Sequence, residues 1–87
     1  MSDTVYSVRA TARREAIAAY QRARAIEPDL PGLNLNLGLA WFKLGNFSEA
    51  LAAFQKESAR APSERLTTLI AMSYFGLARY REAAARL

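Results

Sequence analysis

The apolar positions of this chain fall in helical stripes broken by proline and glycine. In the first third, Ala16, Ile17, Tyr20, Ala23 and Ile26 advance by one, three, three and three residues, a single stripe along one helix face. The pattern predicts a helix from Thr11 to about Glu27, extendable back to Val5. Pro28, Asp29 and Pro31 stop it, because proline disfavours helix in the residue before it. From Leu33 to Leu44 two readings compete. Leu33, Leu35, Leu37 and Leu39 alternate with Asn34, Asn36 and Gly38, which is the period of a strand. A helix accounts for more residues: Leu33, Leu37, Trp41 and Leu44 form one stripe, and Leu35, Leu39 and Phe42 form a second. The segment is therefore expected to be a helix apolar on two faces, closed by Gly45 as a left-handed stop.

Asn46 and Glu49 have the spacing of a capping box for a third helix, which carries Phe47, Ala50, Leu51, Phe54 and Ser58 inward and ends before Pro62. Ser63 then caps a fourth helix, with Leu66, Ile70, Tyr74 and Leu77 as its core stripe. Ala78–Arg79 stands where the preceding unit has Gly45–Asn46, so the next turn lacks both its glycine and its cap. A positive φ there would strain Ala78. A last helix is expected from about Arg79, short and marginal without packing.

These segments repeat. Ala71, Tyr74, Tyr80, Ala83 and Leu87 lie 33 residues beyond Gly38, Trp41, Phe47, Ala50 and Phe54; Ala16, Tyr20 and Pro28 lie 34 residues before Ala50, Phe54 and Pro62. Thr4 and Ser7 break the pattern upstream, where a small residue and an aromatic would fall. A fixed period in this range marks stacked repeats, in which one unit cannot bury its apolar face alone. The landmarks Gly38, Trp41, Gly45, Phe47, Ala50, Phe54 and Pro62 resemble the tetratricopeptide repeat family, and the likeness covers residues 12–87.

The resemblance implies an all-α fold of antiparallel helix–turn–helix repeats stacked as a short right-handed α-solenoid, about two and a half repeats in a single domain over 1–87. Residues 1–10 would be an N-terminal extension and 11–28 the second helix of a partial repeat. Residues 31–62 would be a complete repeat, and 63–87 a repeat truncated in its last helix. The resemblance also pairs Gly38 with Ala50, and Ala71 with Ala83, at crossings where small residues let two backbones approach. It makes Trp41, Phe47 and Phe54 the wedges between helices, and Pro62 the residue that closes the unit. Asn34 and Thr67 depart from the family pattern, which favours a large apolar residue there, as does Glu57, where alanine is usual.

Such modules usually bind other proteins, with the first helix of each unit lining the inside of the curve. The resemblance thus assigns a groove to Leu35, Asn36, Leu39, Phe42 and Lys43 of the central unit. Arg65, Thr68, Met72 and Phe75 join them from the next. Some relatives clamp a C-terminal carboxylate with Lys, Asn and Arg; Asn36 and Arg65 match two of those places, but Leu69 occupies one that needs a basic residue. An apolar groove for a helix or an extended segment fits better. Rival occupants are the chain's own residues 1–10, with Val5 and Tyr6 as plugs, and a second copy that stacks or swaps with the first.

Composition narrows the chemistry. The chain has 87 residues, 52% hydrophobic and 23% charged, which suits one folded domain rather than a disordered segment. It has no Cys and no His, which removes disulfides, the usual zinc sites, a thiolate nucleophile and an imidazole base. The acidic residues are scattered, and no glycine-rich phosphate loop is present. The sequence therefore offers no catalytic residue, no metal site and no cofactor site. The net charge is +4, and Arg9, Arg13, Arg14, Arg22 and Arg24 crowd the first third. Binding of nucleic acid or an acidic partner there is a lesser alternative, because Glu15, Glu27 and Asp29 interrupt the patch and no aromatics interleave it. The longest uncharged stretch, Leu66 to Ala78, is too short to span a bilayer, and the start does not read as a secretory signal. A soluble, cytoplasmic protein is expected.

Overall fold

The computed structural model describes the backbone of residues 2–85 and the side chains of residues 9–85. Among these residues there are four helices and no strand: α1 Ser2–Ile26, α2 Leu33–Lys43, α3 Phe47–Arg60 and α4 Glu64–Ala85. The helices pack in chain order, α1 on α2, α2 on α3 and α3 on α4. The leucine alternation at 33–39 thus belongs to a helix, and its two apolar stripes serve two neighbours. Leu37 and Ala40 close on Ile17 of α1, with Tyr20, Trp41 and Leu44 packed around them. Leu35, Leu39 and Phe42 pack instead on Ala50 and Phe54 of α3 and Leu66 of α4. Trp41 touches both clusters, which makes them one interior.

The α2–α3 crossing is tight for a steric reason. A Cβ at Gly38 would lie 2.5 Å from the Phe54 ring, and that ring is fully buried, so it has nowhere to move. The expected partner, Ala50, is also fully buried, but the atoms nearest Gly38 are those of Phe54.

The chain reverses after α2 in a Schellman turn. Gly45 takes φ 81°, its N–H donates to the Phe42 carbonyl at 3.0 Å, and the Asn46 N–H donates to the Trp41 carbonyl at 3.0 Å. This corrects the expected capping box. The Asn46 side chain makes no cap hydrogen bond, and its backbone N–H is already engaged with Trp41, so Glu49 has no free amide to reach back to. Ser63 does cap α4: its Oγ accepts from the Leu66 N–H at 3.1 Å. A second left-handed glycine, Gly32 at φ 79°, opens α2.

Two helices run further than the repeat pattern indicates. α1 is continuous from Ser2, so residues 2–10 are its first turns rather than a separate extension. Its packing partner is α2, and the side chains of Val5 and Tyr6 lie outside the described residues. α4 passes through Ala78–Arg79 without a break, so the short last helix expected from Arg79 is the continuation of α4. The cause is local. A Schellman end needs a left-handed residue, no residue other than glycine has positive φ among those described, and Ala and Arg are strong helix formers.

Candidate protein-binding groove

One face of α4 is held by the rest of the molecule. Leu66 and Ser73 are buried, and Leu69, Ile70, Gly76 and Leu77 are half-buried. Gly76 seats the Phe47 ring so closely that a Cβ there would lie 2.7 Å from it. A glycine inside a helix costs roughly 0.5–1 kcal/mol relative to alanine, and here the docked ring offsets that loss. The Ser73 hydroxyl donates to the Leu69 carbonyl at 2.8 Å, which satisfies a fully buried polar group.

Outside that packed stripe α4 is open. Met72, Tyr74, Phe75 and Tyr80 are 47%, 53%, 64% and 72% exposed. Tyr74 was expected in the core stripe, but Ser73 takes the interior position and Tyr74 lies exposed at its edge, beside α3. The Tyr74 hydroxyl accepts from Gln55 Nε2 at 3.2 Å.

Beside this face runs an open groove of about 870 Å³. Phe42 and Phe47 contribute to it from the α2–α3 turn, edge to face at 5.2 Å; Thr68, Ala71, Met72 and Phe75 contribute from α4. Towards the end of α4, Arg79 sits 5.7 Å from the centre of the Phe75 ring, and Tyr80 and Ala83 complete the lining.

The strip assigned from the sequence is divided between two places. Phe42, Thr68, Met72 and Phe75 come together in the α4 groove. Asn36, Leu39 and Lys43 line a smaller cleft of about 250 Å³ with Arg13, Ala16 and Tyr20 of α1. Leu35 is half-buried against the core, and Arg65 is exposed and lines neither. Leu39 also packs on the core cluster. The division follows from α2 having two occupied apolar faces, which draws Leu35 and Leu39 into packing. Phe47, Gly76, Arg79 and Tyr80 belong to the groove but not to the predicted strip. The absent turn at Ala78–Arg79 was the signal for Arg79 and Tyr80, because a straight α4 sets them one turn beyond Phe75 and Gly76.

The α1 arginines are spread along that helix, with Arg9, Arg14 and Arg22 exposed and Arg13 and Arg24 half-exposed. Among the described residues, no helix is long and apolar enough to cross a membrane. Residues 14–45, the later part of α1 together with α2, match the family model described as TPR repeat. No curated protein and no solved structure matches the chain.

Proposed function

We infer from the match of residues 14–45 to the tetratricopeptide repeat that the chain is a non-catalytic protein-interaction module, taking an apolar helical or extended segment of a protein partner in the α4 groove. Repeats of this family generally serve protein–protein interaction. The observation that carries the reading is the row of exposed large apolar side chains on α4, Met72, Phe75 and Tyr80, which continues into Phe42 and Phe47. A contiguous apolar surface on a folded chain marks an interaction site rather than ordinary solvent contact. Arg79 over Phe75 adds one cation, which suits a partner segment with a carboxylate beside its apolar anchors.

The test uses Met72→Asp/Phe75→Asp, two exposed positions where a carboxylate does not disturb the core. Leu39 and Phe42 are unsuitable because they pack on the Ala50–Phe54–Leu66 cluster. Each buried apolar side chain contributes about 1.5–3 kcal/mol, so losing both weakens binding at least ~100-fold. The tagged double variant keeps its far-ultraviolet helix signal but fails to capture the proteins held by the unmodified chain, untagged copies of the chain included. Capture that persists contradicts the groove and moves binding to the α1–α2 cleft or the arginine face.

A further inference from the structure

The cleft between α1 and α2 is cationic at one end and apolar along its floor. Helices joined by a short connection pack antiparallel, so the earlier part of α1 meets the later part of α2. Arg13 and Lys43 therefore share one end of the cleft, and Tyr20 and Asn36 share the other. Leu39 and Ala40 form the floor between them. Among the described residues neither cation is held in an ion pair. The acidic residues nearby in sequence do not reach that end. α2 contains none, Glu15 lies about 200° around α1 from Arg13, and Glu27 and Asp29 follow α1 at the Tyr20 end.

We propose that this cleft binds an acidic side chain of a partner protein. The carboxylate sits between Arg13 and Lys43, and a neighbouring apolar side chain rests on Leu39 and Ala40. The site is additional to the α4 groove, with which it shares no lining residue. Charge complementarity selects the carboxylate, because two cations without a counter-charge beside an apolar floor gain a charge-assisted contact from one anion. The volume of about 250 Å³ selects a side chain rather than a larger occupant. Sites for whole small molecules enclose roughly 300–1,000 Å³. A nucleic-acid strand fits less well, because it follows an extended cationic track. The exposed Arg14 and Arg22 lie about 100° and 180° around α1 from Arg13 and so do not continue one.

The probe is a short peptide of alternating glutamate and leucine, acetylated and amidated so that its side chains carry its only charges. Titrated into the isotope-labelled chain, it should shift the backbone amide signals of residues 13–20 and 36–43. Arg13→Gln/Lys43→Gln should weaken its binding about tenfold or more, since charged hydrogen bonds are lost at both positions. Arg14→Gln/Arg22→Gln removes the same charge outside the cleft and should leave the affinity unchanged. Equal losses in the two variants would show that net charge alone attracts the peptide, and would overturn the proposal. Equal binding of a glutamine–leucine peptide would overturn it too, because the carboxylate would then contribute nothing. Shifts confined to α4 would place the peptide in the groove and leave the cleft without a ligand. Tighter binding of a thymidine oligonucleotide at the same residues would replace the protein partner with a nucleic acid.

Discussion

At Asn34 and Glu57 an oxygen is buried without a partner. Asn34 Oδ1 and Glu57 Oε1 have no hydrogen bond, and Glu57 is 5% exposed; its other oxygen accepts from Arg60 Nη2 at 3.2 Å. These are two of the positions where the sequence departs from the pattern of the family it resembles, so the departures were legible and their burial could be anticipated. Their unpaired state could not, because it depends on side-chain geometry. An unsatisfied buried polar group costs about 1–3 kcal/mol, whereas the half-exposed Arg60 contact contributes about 1 kcal/mol at most. Glu57→Met keeps the length of the side chain and removes the orphaned oxygen, so stability in urea should rise by about 1 kcal/mol. A fall of that size would show that the ion pair outweighs the burial. Gly38→Leu acts in the opposite direction. With Phe54 fully buried in the way, overpacking should cost about 1–3 kcal/mol, and an unchanged urea midpoint would contradict the tight crossing.

The turn between α2 and α3 and the missing turn in α4 differ by two residues. Gly45 adopts φ 81° and Asn46 receives the reversed chain; Ala78 and Arg79 continue the helix. The sequence showed that the second turn had lost its glycine and its cap. Periodicity still placed a helix boundary at Arg79, because Tyr80 and Ala83 keep the register of Phe47 and Ala50. Local helix-end chemistry prevailed over periodicity, since no later element of the described chain rewards a reversal. Helix existence, the two stripes of α2 and the Ser63 cap were all readable from spacing. The groove was half readable: Phe42, Thr68, Met72 and Phe75 fall together, whereas Asn36, Leu39 and Lys43 go to the α1 side. Restoring the turn with Ala78→Gly/Arg79→Asn should let residues 80–85 fold back onto Ala71 and Tyr74. The expected reading by pulsed electron resonance is a shorter separation between labels at Glu64→Cys and Ala85→Cys than in the chain with its own turn residues. An unchanged separation would show that the missing glycine does not hold α4 straight.

On the scale of the whole molecule, Trp41 joins the α1–α2 cluster to the α3–α4 cluster, so the four helices share one interior. Trp41→Ala should cost about 3 kcal/mol or more, and hydrogen exchange should show α1 losing protection relative to α3. Uniform loss across all helices would mean that the two clusters are coupled by other contacts. The interior leaves part of α4 uncovered, and the proposed binding falls there.

The account therefore depends most on α4 remaining one straight rod. Nitroxide labels on Glu64→Cys/Ala85→Cys, with the labelled chain diluted in unlabelled protein, measure its length by pulsed electron resonance. A continuous helix predicts a backbone separation of about 31 Å between these ends at ~1.5 Å per residue. A separation of about 10–15 Å would mean that the helix has folded back on itself, since antiparallel neighbours pack at roughly 8–10 Å, and would contradict the open face.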